Sequence, residues 1–393
     1  MDLDDSPQEA GFRRNVRAWL RDHLTEERRL QLNAREARAW IDFIRHWQRD
    51  LLAAGLSVRS WPRAYGGHGA PATEDLIVFE ELAQADAPLD AFRVGIRIIG
   101  PMLMKLARDD QKAAFLPRIA DGSDLWSQGF SEPGAGSDLA ALSTRAVHRA
   151  GKYVINGQKT WNTLGHLADF CLVLARTNPE VPKHRGLTAF AVPMSSPGIT
   201  VRPLQQMNGR RDFNEIFFDD VELPENAVVG IVDGGWKVAV TMLDFEHRGL
   251  AVLGFGCRRL YGRLLELART TRIGSSNRAA LGELDIRRRL AALGGQARIA
   301  VLNNHRFLAM IPEGGVPGPE AAIQKLHSTE LNKAMHALAL EIASLADLAD
   351  SEARERLSAW EEDYLTSFGM TIAGGTSQIQ RNIIAERALG LPR

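Results

Sequence analysis

The chain has 393 residues, with 48 Lys plus Arg balanced by 48 Asp plus Glu. That length holds two or three domains with sizeable cores, and the zero net charge argues against a partner that is nucleic acid or an anionic membrane surface. The two cysteines, Cys171 and Cys257, each sit in an apolar run and read as buried free thiols of a reducing compartment rather than a disulfide framework.

The N-terminal "MDLDDSPQEAGF" is acidic, whereas transit peptides are acid-poor and signal peptides need an apolar centre. No apolar stretch approaches the roughly 18–20 residues of a membrane span. The expectation is a cytoplasmic protein with no membrane partner. Residues 7 to about 123 carry helical periodicity. "DLIVFEELAQAD" (75–86) places apolar residues at helical spacing, and "DDQKAAFLPRIADG" (109–122) repeats the pattern with Asp109 as a candidate N-cap. From about 125 to 232 the apolar residues come in short alternating or continuous runs, among them "DFCLVLART" and "NEIFFDDVELP". Prolines punctuate these runs, and Asn156-Gly157 reads as a two-residue hairpin turn.

After "VDGGW" (232–236) the helical period returns and persists. Runs at 237–271, 282–310, 319–350 and 352–373 predict a four-helix bundle, with a short last helix from about 378 and a loop over 311–321. The expected fold is α+β: an N-terminal helical domain (1–123), a middle β-barrel or sandwich (124–235) and a C-terminal helical bundle (236–393). The chain holds no Walker loop, HExxH or paired CxxC, and its scattered histidines predict no metal site. "GFSEPG" (129–134) is no nucleophile elbow, because Pro133 stands where that motif needs glycine. "TIAGGTSQIQRNIIAERALG" (371–390) offers glycines and a helix start suited to an anionic ligand, but no acid or base.

Three separated segments, "WSQGFSEPGAGSDLA" (126–140), "NGQKTWNT" (156–163) and "AGGTSQIQRN" (373–382), in α–β–α order, resemble the acyl-CoA dehydrogenase family. The resemblance extends through "WPRAYGGHG" (61–69) and "FNEIFFDDVELPENAVVG" (213–230) and so covers essentially the whole chain. It implies FAD lying between the β-domain and the C-terminal bundle, an acyl-CoA or acyl-carrier thioester as substrate, and an electron-transfer flavoprotein as partner. By the same resemblance Gln128, Phe130 and Ser131 belong to the loop that meets the flavin. Trp161 packs beside the isoalloxazine, Thr163 reaches flavin N5, and Thr376 and Gln378 contact the adenosine or pyrophosphate portion. Ser137 matches a residue near the substrate's pantetheine.

Many relatives carry the catalytic glutamate where this chain has Gly374, whose N–H can still serve as an oxyanion donor. A second branch places the carboxylate on the first long helix of the bundle, and there "GWKVAVTMLDFEHRG" (235–249) has Glu246. Met242, Leu243 and Leu250, about one turn away, would desolvate it. Its rival Asp244 points about 200° around the helix. Relatives usually continue Glu-Arg, whereas this chain reads Glu246-His247-Arg248. An Arg-x-x-Phe-Gly element that reaches FAD across a subunit interface is degraded to "ARTTRIG" (268–274), leaving Arg269 as the candidate contact. A Gln-x-x-Gly-Gly-x-Gly element is not recognisable before residue 371. Assembly as a homodimer, a tetramer or a heteromer with a paralogue follows from the resemblance. Two alternatives to the dehydrogenase stay open: a same-fold flavin oxidase or monooxygenase, and a flavin-retaining subunit of a heteromeric enzyme.

Overall fold

The structure, a computed structural model, describes residues 5–33, 39–87, 92–249, 253–276, 278–310 and 318–392. The described residues divide into two compact units: those from Asp5 to Gln206 together with Arg210–Glu246, and Met207–Gly209 together with those from His247 onward.

The first unit opens with α1 (Pro7–His23), α2 (Glu26–Asn33), α3 (Trp40–Ala53), α4 (Ala72–Gln84), α5 (Gly100–Leu106) and α6 (Asp109–Ala120). Helix α1 starts on a reciprocal cap. Ser6 Oγ accepts from the Glu9 N–H, and the Glu9 carboxylate accepts from the Ser6 N–H at 2.9 Å. Its apolar stripe, Val16 and Leu20, meets Trp40, Ile44, Trp47 and Leu51 of α3 and Val78 and Leu82 of α4. Helix α6 corrects one expectation. Asp109 is the first helical residue rather than the cap, and Gln111 Oε1 accepts the N–H of Arg108 at 3.3 Å.

The helices lead into β1 (Trp126–Gly129), β2 (Arg145–Arg149), β3 (Lys152–Thr163), β4 (Phe170–Arg176), β5 (Leu187–Pro193), β6 (Ile199–Leu204), β7 (Phe213–Pro224) and β8 (Val228–Val229). They form one sheet in the order β6-β7-β3-β2-β4-β5-β8, with β1 paired parallel to β4. The run "CLVLA" is continuously apolar because β4 is covered on both faces. Cys171, Val173 and Ala175 enter a cluster with Ile155, Phe190, Ile216 and Val221. Leu172 and Leu174 enter another with Ile99, Met102, Leu116 and Trp126. Both cysteines are free and buried, and burial pushes each thiol up to about 12.

Asn156-Gly157 is not a hairpin turn. Both residues lie inside β3, at a register shift against β7 between Ile155 and Gly157, and the chain reverses instead at Ala150 and Gly151, both with positive φ. Asn156 suits the bulge because its amide exchanges hydrogen bonds with Asp220, Nδ2 donating at 2.9 Å and Oδ1 accepting from the Asp220 N–H at 3.0 Å. Gly157 suits it because its φ is +150° and an added Cβ would stand 2.5 Å from Thr144 Oγ1. The dipeptide signals unusual backbone, and a bulge needs that as much as a turn does.

Helix α7 (Gly235–Gly249) closes the first unit, burying Val238, Ala239 and Met242 in the cluster that holds Leu172 and Met102. The second unit contains α8 (Leu253–Thr270), α9 (Leu284–Met310), α10 (Glu320–Ser344), α11 (Ser351–Met370) and α12 (Ser377–Ile383). The predicted run 237–271 therefore comprises α7 and α8, with 250–252 outside the described residues. The predicted loop over 311–321 has 311–317 outside them as well, and α10 already begins at Glu320. The four packed helices are α8 to α11, around Leu260, Leu264, Leu290, Ala300, Met335, Leu338, Ile342 and Trp360. None of the described helices is long and apolar enough to cross a membrane.

Replacing Gly157 by Ala is expected to lower stability by about 1–3 kcal/mol, because the added methyl meets Thr144 and the backbone angle disfavours a side chain. A urea titration of the purified variant measures it; an unchanged midpoint would show that the bulge tolerates a Cβ.

Candidate active site

The segment after β1 is tied to β3 by a row of hydrogen bonds. The Asn162 Nδ2 donates to Gln128 O at 2.7 Å, the Thr160 N–H to Ser131 O at 2.9 Å, and Ser127 Oγ to Thr163 O at 2.9 Å. Gln128, Phe130, Ser131, Trp161 and Thr163 are thereby brought together on neighbouring stretches of one unit. Phe130 is buried, Gln128, Ser131 and Thr163 are half-buried, and Ser137 is exposed on the loop that follows.

Trp161 is unusual. It is 60 % exposed, and its φ is +61°, at a second register shift of β3 against β7 between Lys159 and Asn162. A non-glycine residue there costs on the order of 1–3 kcal/mol and persists only where the surroundings impose it. The strand is bulged here. Thr160 and Asn162 turn inward, and the indole between them stands out, with one edge contact to Phe213 at 6.0 Å.

Two residues with no assigned role in the sequence reading hold this loop. Lys159, fully buried, donates from Nζ to Glu132 Oε1 at 2.8 Å and to Phe130 O at 3.1 Å. Glu132 also accepts from the Ser143 N–H (2.6 Å), Ser143 Oγ (2.8 Å) and the Thr144 N–H (2.9 Å). Burial alone would raise the Glu132 carboxyl, but the Lys159 ammonium and these donors outweigh it and hold it at about 2. Burial pushes Lys159 down to about 8 against the pull of Glu132, so both partners are charged at neutral pH. The available signal was a lysine flanked by strand-forming residues in one quoted motif and a glutamate in another.

On α7, Glu246 is half-buried and continues the line of Val238 and Met242 at four-residue steps. It makes no hydrogen bond or ion pair among the described residues, so no basic partner there holds it as a surface salt bridge. Met242 is fully buried and Leu243 half-buried; Leu250 lies outside the described residues. Asp244 lies off the stripe and is also half-buried.

In the second unit, Gly374 and Gly375 take φ of +64° and +92° before α12. Thr376 Oγ1 caps that helix, accepting from the Ile379 N–H at 3.2 Å, while Gln378 is exposed. Arg269, in the last turn of α8, is exposed and among the described residues reaches Glu266, at 3.9 Å.

Each unit, taken by itself, offers chemistry that a flavin dinucleotide uses. An exposed indole suits a flat aromatic ring, and glycine-flanked N–H groups at a helix start suit a phosphate or developing oxyanion.

Comparison with known proteins agrees. Residues 6–123, 127–221 and 233–389 match the N-terminal, middle and C-terminal domains of acyl-CoA dehydrogenase. The acyl-CoA dehydrogenase IpdE1 of Mycobacterium tuberculosis is 39% identical over 391 residues, covering 97% of each chain. FadE26 of the same organism is 33% identical, covering 100% of this chain and 99% of its own. Among solved structures, the ChsE4–ChsE5 complex from M. tuberculosis aligns with a TM-score of 0.85 at 34% identity over 100% of both chains. The Tcur3481–Tcur3483 steroid ACAD aligns with a TM-score of 0.85 at 29% identity, again over 100% of both. Fold and sequence together define an FAD-dependent oxidoreductase. The chain belongs to the acyl-CoA dehydrogenase family.

Breaking the buried pair with Lys159→Met, which strands the Glu132 carboxylate, is expected to cost about 3–5 kcal/mol. The Glu132 contribution is fully present above its ordinary value of 4.5 and is lost as pH falls from there toward about 2. Denaturation midpoints across that window should therefore fall more steeply for the wild type than for Glu132→Gln. Parallel slopes would remove the pair from the acid response.

Proposed function

We propose that the protein catalyses α,β-dehydrogenation of an acyl-CoA thioester, with Glu246 as the base that removes the α-proton. The observation that carries this is Glu246 itself, half-buried on the extension of the Val238–Met242 stripe and without a partner among the described residues. A carboxylate in such a setting is available to a substrate proton rather than committed to an ion pair. The Gly374 N–H gives a hydrogen bond to the thioester oxygen as enolate character develops, a task that needs only backbone. The electron pair released from the α C–H bond becomes the new Cα=Cβ π bond. FAD, when bound, supplies the acceptor for the β-hydrogen and its two electrons.

Trp161 and Thr163, with the Gln128–Ser131 loop, would hold the flavin ring. Thr376 and Gln378 would meet its adenosine or pyrophosphate portion, with Arg269 as a further contact and Ser137 near the pantetheine. Thr376 offers both its N–H and its hydroxyl O–H as donors, since capping α12 uses only an acceptor lone pair of the hydroxyl. The trans-2-enoyl thioester is the product, and an electron-transfer flavoprotein takes the electrons onward. The ranking of a steroid-derived acyl group above a straight chain is supported by similarity to the Tcur3481–Tcur3483 steroid ACAD. Assembly with a paralogue is supported by similarity to the ChsE4–ChsE5 complex and by the degraded 268–274 element.

Glu246→Gln should keep fold and flavin, since Gln is isosteric and equally compatible with a helix. Anaerobic flavin bleaching by substrate should slow by about 10²–10⁴-fold, and Asp244→Asn should change it little. A Glu246→Gln enzyme bleached at the wild-type rate would place the base elsewhere. The same assay across straight-chain and steroid-derived acyl-CoAs ranks the substrate classes. Rapid reoxidation of the reduced protein in air would favour the oxidase reading.

FAD occupancy of the chain purified alone should be low and should rise on co-expression with a paralogous subunit. Chromatography of the extracted flavin measures both. Full occupancy in a pure homo-oligomer would remove the case for a heteromer.

A further inference from the structure

The loop before α12 is held from beneath by two buried side chains. Lys325 of α10, 1% exposed, donates from Nζ to Gly375 O at 2.8 Å. Gln380, also 1% exposed, donates from Nε2 to Gly374 O at 2.8 Å and to Gly375 O at 3.3 Å. The same helix supplies a third tie: Ser377 Oγ donates to Glu330 Oε1 at 2.7 Å. In contrast, the N–H groups of Gly374, Gly375 and Thr376 have no acceptor among the described residues.

These two facts are linked by peptide geometry. In a planar trans peptide the C=O of one residue and the N–H of the next point in opposite directions. Drawing Gly374 O toward Gln380 therefore aims the Gly375 N–H the other way, and drawing Gly375 O toward Lys325 does the same for Thr376. Glycine is required at 375, because a Cβ there would stand 2.7 Å from Gln380 Nε2 and φ is +92°. Successive N–H groups left open in this way form a concavity for negative charge. A hydrogen bond to the carbonyl also polarises the peptide and strengthens its N–H as a donor, most of all when the partner is a cation.

We propose that Lys325 is a positioning residue for the reaction: by anchoring the Gly375 carbonyl it aims and polarises the Thr376 N–H and, by immobilising the Gly375 peptide, holds the adjoining Gly374 N–H in place to meet the thioester oxygen as that oxygen gains negative charge. The assignment rests on the dehydrogenase reading above. It also explains why a lysine occupies a site where water is excluded. An apolar side chain would fill the space without the desolvation cost, but it could neither anchor the carbonyl nor place positive charge behind the donors.

The test uses Lys325→Met, which removes the donor and the charge, and Lys325→Gln, which keeps an amide donor. Acetoacetyl-CoA is the probe, because its enolate carries negative charge on the oxygens the loop would face and reports on them without turnover. In the flavin-loaded protein, the apparent pKa for enolisation of bound acetoacetyl-CoA should rise in Lys325→Met. Flavin bleaching by substrate should slow by about tenfold or more, while flavin content and melting temperature hold. Lys325→Gln should fall between Met and wild type. A folded, flavin-loaded Lys325→Met with wild-type enolisation and bleaching would overturn the proposal, as would failure of both variants to fold, which would make Lys325 a core residue only. Wild-type protein that neither binds acetoacetyl-CoA nor is bleached by any acyl-CoA would instead overturn the dehydrogenase reading itself.

Discussion

The ammonium of Lys159 and the carboxylate of Glu132 meet at 2.8 Å with no access to water, and the geometry of the first unit's loop follows from that contact. Glu132 gathers two backbone N–H groups and a hydroxyl from Ser143 and Thr144, which fixes where the loop returns to β2. Lys159 takes the Phe130 carbonyl, which fixes how the loop leaves β1. With Lys159 and Thr160 both turned inward, strand alternation fails, and the next residue, Trp161, is driven outward into a left-handed backbone. An ion pair of this kind is costly to assemble, but its directional bonds specify one loop conformation where apolar packing alone would allow several.

Helix α7 depends on the same unit for a different reason. Its stripe of Val238, Ala239 and Met242 is buried against β4, α5 and α6. Packing therefore sets its rotation, and rotation decides whether a carboxylate four residues beyond Met242 lies along the buried line or off it. Glu246 lies along it and Asp244 does not. The placing of the candidate base is consequently set by core apolar residues of the same helix.

The α, β, α order was legible because the hydrophobic period changes twice along the chain, and cores follow period. Glu246 was singled out by the resemblance and its apolar helix neighbours, and the structure shows it half-buried on the line of Val238 and Met242. Asn156-Gly157 was misread because the dipeptide reports backbone freedom, not its use, and whether a turn or a bulge results depends on what pairs with Asp220 and Thr144 across the sheet. The Glu132–Lys159 pair was invisible as a pair. Each residue alone resembles a solvated charge, and only the hydrogen bonds that tie the segment after β1 to β3 remove both from water. The hold of Lys325 on the loop was hidden likewise, because a backbone carbonyl has no sequence signature.

In the dehydrogenase reading proposed above, Gly374 keeps one part of the chemistry while Glu246 takes over another. Removing a proton needs a side chain of suitable basicity, which can be supplied from any element packed well enough to aim it. Stabilising an oxyanion needs N–H donors, which belong to the backbone and survive any change of side chain that leaves the loop conformation intact. Placing glycine at 374 therefore gives up a carboxylate without giving up a donor, provided something else keeps the loop from using its new freedom. Two consecutive glycines are the most pliable pair a loop can contain, and left alone they would sample many orientations of the same three N–H groups. Gln380 and Lys325 remove that freedom at the carbonyls of 374 and 375, which sets the Gly375 and Thr376 N–H groups directly and leaves the Gly374 N–H joined to a residue held in place.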